Sequence, residues 1–249
     1  MGIFDFFRRK KANQELDVLS YEDFQDLDDD NYEEMNSVEI KRNKKALADY
    51  KMCLSGNGIM PIDAIGPCNT SFLEGLTATD FCMSCFDFLN KLTLPSGLLL
   101  TVKQINCGTW IKKQLVVKLP NGYMDSDIFK YLNVEESLEG VWQAYVILAF
   151  SARFSTVGMK HIFKKEDISN IKLLRKSDQD NVIASLLGLD VTPTIGKIDN
   201  KYFVSCCYFS QWAGLIREYM EFVVVNNKVT DSFVFDGIKL YQYDCGIMI

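Results

Sequence analysis

Apolar positions along the chain follow two periods, and the change between them falls near Pro193. Before that point, spacing by three and four dominates. Glu135 to Phe150 sets Leu138, Val141, Trp142, Tyr145 and Leu148 or Ala149 on one face, as an amphipathic helix requires. Ser37 to Tyr50 predicts a second helix, ended by Ser55-Gly56-Asn57-Gly58. Thr79-Asp80 offers a cap to a third, expected to run to about Leu92 and stop at Pro95-Ser96-Gly97. Asp178 to Leu187 predicts a fourth, closed by Gly188. Leu98 to Ile105 and Trp110 to Leu119 are strand-like, and Asn121-Gly122 is a turn signal.

After Pro193, the runs Tyr202–Tyr208, Leu215–Val225, Lys228–Asp236 and Ile238–Tyr243 are rich in Val, Phe and Tyr, with Asn226-Asn227 and Asp236-Gly237 between them. In the second run, Ile216, Met220, Phe222 and Val224 alternate partly with Arg217 and Glu221, the mark of a half-buried strand. The expected class is α+β: mixed helices and hairpins followed by a C-terminal antiparallel β-meander.

Composition is that of an ordinary globular chain, with 249 residues of which 48% are hydrophobic and 24% charged. The net charge of −6 is unevenly placed. Residues 1–14 carry four cations and one acid, residues 15–39 eleven acids and no Lys or Arg, and residues 40–51 five cations and one acid. The acidity therefore belongs to one segment, and the remaining 198 residues sum to only −2. Like charge this dense favours an extended, solvated stretch. The expected organisation is a charged, flexible segment over 1–36 and a single α+β domain over 37–249. The overall balance lacks the basic footprint of a nucleic-acid binder, so none is expected as partner.

The longest apolar run, Ala144–Phe150, is seven residues, too short to span a bilayer. The opening residues lack the order of a secretory signal, so a cytoplasmic chain is expected, with its eight cysteines mostly small buried residues. Ile3, Phe4, Phe6 and Phe7 beside four cations leave a peripheral membrane or scaffold role open as an alternative.

Exclusions sharpen the functional expectation. His161 is the one histidine, which removes every mechanism needing two from one chain, and its cationic neighbours point to a structural role. The GxxxxGK[ST], GxGxxG and GxSxG patterns are absent. Cys82 and Cys85 share a helical face, but the only close second pair, Cys206-Cys207, points to opposite faces of a strand, so core cysteines are expected and no metal. Asp26-x-Asp28-x-Asp30 imitates a calcium loop, with Asn31 in place of the turn glycine and Ser37 in place of the closing glutamate. No catalytic residue and no cofactor is expected. An enzyme of another kind, using carboxylates or a thiol such as Cys82, Cys107 or Cys245, is the second alternative.

The run Met1-Gly2-Ile3-Phe4-Asp5-Phe6-Phe7-Arg8-Arg9-Lys10-Lys11 resembles the start of many small bacterial cytoplasmic proteins, among them immunity proteins that accompany secreted polymorphic toxins. Trp142-Gln143-Ala144-Tyr145 and the ending Tyr241-Gln242-Tyr243-Asp244-Cys245-Gly246-Ile247 are similar to blocks in bacterial proteins of this kind. The resemblance implies a stoichiometric inhibitor of a cognate toxin. The leading expectation is thus a non-enzymatic protein-binding protein of immunity type, its acids steering a cationic toxin. The candidate partner-binding residues are Asp26, Asp28, Asp29, Asp30, Glu33 and Glu34, with Trp212 and Arg217 as anchors.

Overall fold

The most apolar stretch of the chain becomes a central helix. In the computed structural model, which describes residues 29–65, 77–107, 111–155, 159–172, 176–243 and 245, this helix spans Leu138–Ser155 and is called α3. Val141, Trp142, Ala144, Tyr145, Val146, Ile147, Ala149 and Phe150 are all buried. A helix apolar on more than one face must be covered on more than one side. Two β-layers do this.

The first is a six-stranded antiparallel sheet. It comprises β1 (Ile59–Pro61), β7 (Met159–Ile162), β8 (Thr194–Ile198), β9 (Lys201–Ser210), β10 (Gly214–Val225) and β11 (Lys228–Tyr241). β9 pairs along its whole length with β10 on one side, while β8 and β7 share its other edge end to end. The C-terminal strands form the expected meander.

The period of two then sorts β9. Tyr202, Val204 and Cys206 join the core around α3, whereas Phe203, Cys207 and Phe209 face the other way. On that other face, α1 (Asp29–Ser55) covers Phe203 and Phe235, and α4 (Glu166–Ser169) with α5 (Gln179–Leu187) covers Cys207 and Phe209.

The second layer is β3 (Leu99–Asn106), β4 (Ile111–Lys118) and β5 (Met124–Asp125), with α2 (Ala78–Phe88) beside it. Leu100, Leu115 and Val117 turn inward to α3, and Phe81 of α2 stacks on Phe150 with ring centres 4.7 Å apart. β2 (Leu92–Thr93) and β6 (Asn133–Val134) form a short bridge.

Several expected elements differ in detail. α1 begins at Asp29, eight residues before the expected Ser37, so the acid-rich run is helical from there. Four acids in its first six residues sit where the macrodipole favours negative charge, which offsets their mutual repulsion. Helix α2 ends at Phe88 rather than near Leu92. It starts on Thr77, whose hydroxyl accepts from the Asp80 N–H while the Asp80 carboxylate accepts from the Thr77 N–H. Asp236-Gly237 makes no turn, because β11 passes through it unbroken and absorbs irregularity at three register shifts against β10. Gly188 closes α5 at a φ of −77°, so it is not a left-handed cap. None of the described helices is long and apolar enough to cross a membrane.

Candidate functional site

A groove of about 740 Å³ opens between α2 and β3. Thr79, Cys82, Met83 and Phe86 form one wall, Asn90 and Leu92 to Leu94 the end, and the unbroken run Leu98 to Val102 the other wall. Met83 is 74% exposed and Leu99 59% exposed, so two large apolar side chains stand in solvent at its mouth. β3 pairs with β4 along one edge, and among the described residues no strand pairs with its other edge. An unpaired edge presents a row of free backbone donors and acceptors.

The local sequence builds this opening. Pro95-Ser96-Gly97 turns the chain from β2 into β3, with the Leu98 N–H donating to the Pro95 carbonyl at 3.2 Å. Gly97 sits at φ +84°, where a side chain would be strained. Asn90 is tied back to the core, accepting from the Gln143 amide at 3.4 Å, while the Gln143 oxygen accepts from the Lys91 N–H at 2.8 Å. The groove end is therefore fixed on α3.

The groove offers apolar surface and backbone rather than reactive groups. Its one titratable side chain, Cys82, has its thiol pushed up to about 12 by burial, which keeps it protonated and poorly nucleophilic near neutral pH. Cys85, one turn on, is likewise pushed up to about 12. These two are core thiols, as expected, and Cys206 and Cys207 do project to opposite faces. No group of three or more His, Cys, Asp or Glu side chains with metal-holding geometry occurs among the described residues.

The strongly perturbed acid lies elsewhere. Glu218 projects from β10 into the α3 core, directly opposite Cys206 in the ladder, and burial raises its carboxyl to about 7. Tyr145 from α3 and Cys206 and Tyr208 from β9 are also held well up by burial, each with Glu218 adding to the effect. His161 packs with Tyr145, Phe163 and Tyr208, ring centres 5.9 to 6.2 Å apart. Glu218 is 4% exposed and Tyr145 2%, so substrate has no path to this cluster. An acid–base enzyme would combine a perturbed carboxyl with an open pocket. Here the two are separate. The alternation of Glu218 with Met220, Phe222 and Val224 was a sequence signal that Glu218 faces inward.

The residues singled out from sequence are not gathered into one site. Asp26 and Asp28 lie outside the described residues, as does the aromatic-basic stretch 1–11. Asp29, Asp30, Glu33 and Glu34 fall in the first turns of α1. Arg217 is engaged internally: its guanidinium donates to the Asp190 carbonyl at 2.7 Å and stands 3.6 Å from the Asp190 carboxylate. Trp212 is half-buried against the cluster under α4 and α5. Trp212 thus belongs to the part of the sheet under α4 and α5, whereas Arg217 borders Tyr219, which Tyr50 of α1 covers. Cys107 is exposed at the end of β3, and Cys245 is buried.

Fold and groove together define an α+β domain carrying an apolar, open-edged cleft. No family of known proteins, no curated protein and no solved structure matches the chain.

Proposed function

We propose that the protein is a non-enzymatic, cytoplasmic protein-binding protein that takes an extended segment of a partner protein into the groove between α2 and β3. The observation that carries this reading is the coincidence of an apolar cleft with a strand edge, along Leu99 to Val102, that no other strand pairs with among the described residues. In that arrangement an incoming strand gains main-chain hydrogen bonds from β3, and alternate side chains enter the cleft. Met83 and Leu99, exposed now, would be covered by the occupant. The immunity-type reading is the specific form favoured by the resemblance of residues 1–11: a stoichiometric inhibitor occupying a toxin.

A second reading places a cationic toxin on the acids at the start of α1, and the observation favouring it is that Asp29, Asp30, Glu33 and Glu34 are ordered into one helix end. One experiment separates the two. The wild-type chain, a Met83→Asp/Leu99→Asp variant and an Asp29→Asn/Asp30→Asn/Glu33→Gln/Glu34→Gln variant are each used to capture a stoichiometric partner from the native extract. The groove reading expects at least tenfold less partner with the groove variant and normal capture with the helix variant. Loss confined to the helix variant would transfer the function to α1, and equal capture by all three would contradict both surfaces.

A further inference from the structure

The groove reading leaves the chemistry of the occupant open, and the charge pattern of the second β-layer narrows it. Resting on that reading, we propose that the occupant is an acidic, extended segment of a partner protein, with apolar side chains toward the cleft and carboxylates on the opposite side of the added strand.

Between Leu99 and Lys118 the chain carries four lysines, Lys103, Lys112, Lys113 and Lys118, and no acid. This is the reverse of the chain as a whole. The ladder assigns faces to them: Leu99 pairs with Lys118, Lys103 with Gln114 and Ile105 with Lys112. Lys103, Lys112 and Lys118 therefore share the face turned away from α3, since Leu100, Leu115 and Val117 occupy the inner one. Lys103 and Lys118 are exposed and Lys112 is half-buried. Val116 on the same face is buried, so that face is covered in part, and the charges of Lys103 and Lys118 are the ones open to a partner.

Geometry fixes where the complementary charge must be. A strand added to β3 would lie about 5 Å from it, and about 10 Å from β4. Side chains on its outer face would meet Leu99 at one end and Lys103 further along, and feel Lys112 and Lys118 within about one Debye length. Its inner-face side chains would meet Met83, Phe86 and Leu100. Two acids stand nearby on α2. Asp80 is committed to the Thr77 cap, with Thr77 Oγ1 donating to it at 2.6 Å, and Asp87 is exposed. The one uncommitted acid of α2 does not cancel the three lysines of this face, while Lys113 belongs to the opposite one. An occupant that alternates apolar and acidic residues satisfies both faces at once, whereas one alternating apolar and basic residues would place like charge over Lys103.

The test is a fluorescence-anisotropy titration of the full chain with three labelled nonapeptides. Two alternate valine with glutamate or valine with lysine, and the third matches residues 15–27 of this chain cut to its first nine. At about 50 mM salt the glutamate peptide is expected to bind at least tenfold tighter than the lysine peptide. The Lys103→Glu/Lys118→Glu variant, at two exposed positions, should invert that preference. Raising salt to about 0.5 M should shrink the difference severalfold. N-methylation of alternate amides should abolish binding in one phase of the alternation and leave it in the other, which strand addition demands. Equal binding of both charged peptides, lost in the Met83→Asp/Leu99→Asp variant, would overturn the acidic occupant and leave the groove reading standing. Binding of none of the peptides below about 1 mM would overturn both. Binding of the 15–23 peptide at least tenfold tighter than the glutamate peptide would identify this chain, not a partner, as the source of the strand and so overturn the proposal.

Discussion

Replacing Gly214 by alanine is expected to cost the fold more than about 3 kcal/mol, the largest loss expected among the described glycines. Gly214 opens β10 at φ +85° after the turn that leaves β9. A Cβ there would stand 1.9 Å from the Tyr241 carbonyl oxygen and 2.6 Å from the Tyr243 nitrogen. Both are backbone atoms, which cannot rotate out of the way. The left-handed conformation alone costs an L-residue about 1–2 kcal/mol. The contact adds the cost of displacing the end of β11, where Leu215 pairs with Tyr241 and Cys245 donates to the Gln211 carbonyl at 2.9 Å. Gly122 is the control. It has the same φ of +85°, but a Cβ there meets nothing within 4 Å. Gly122→Ala should lose only about 1 kcal/mol in urea unfolding. Equal losses at the two positions would mean that the C-terminal chain does not pass over the β9–β10 turn.

The second large effect is a pH dependence removed by Glu218→Gln. In the unfolded chain this carboxyl titrates near its ordinary value of 4.5, and in the folded chain burial raises it to about 7. Between those values the folded protein keeps a proton that the unfolded protein has lost, so stability falls as pH rises. Above pH 7 the full penalty, about 3 kcal/mol, applies. The groups facing Glu218 are Tyr145, Cys206 and Tyr208, all pushed upward and neutral in this window, and its ladder neighbour on β11 is Gly237. Burial is the one cause of the Glu218 shift, and His161, packed on Tyr145 and Tyr208, is present in both proteins. The glutamine variant should match wild type within about 1 kcal/mol at pH 4.5 and exceed it by about 3 kcal/mol at pH 8, measured by urea unfolding. Glu221 and Asp167 are also raised by burial, but they titrate alike in both proteins and cancel in the difference. A difference that stays flat from pH 4.5 to 8 would show that the carboxylate is solvated or paired in the folded state.

How far sequence reached depends on whether a feature is local. The central helix was legible because Val141, Trp142 and Tyr145 repeat at helical spacing, and the meander because Val, Phe and Tyr cluster between turn residues. Asp236-Gly237 misled for a physical reason: the same dipeptide that makes a hairpin turn also fits a strand whose ladder shifts register nearby. The acids from Asp29 onward argued for an extended stretch through repulsion alone, and the helix macrodipole together with the anchored remainder of α1 outweighed that. The groove as a whole was not legible. It is assembled from three stretches around Met83, Leu92 and Leu100, and its open edge is a property of how β3 pairs, which no single window of sequence contains. The uninterrupted Leu98-Leu99-Leu100 was the trace it left, since a strand with one covered face should alternate.

The direct test of strand addition is hydrogen–deuterium exchange of the β3 amides, Leu99 to Asn106, in the full chain with and without the valine–glutamate peptide at saturation. Amides of β3 that point toward β4 are already bonded and should exchange slowly in both states. Those that point away should slow at least tenfold on binding, in alternation along the strand. Unchanged exchange along the outer edge of β3, with protection appearing instead on α1, would contradict the groove as the binding site.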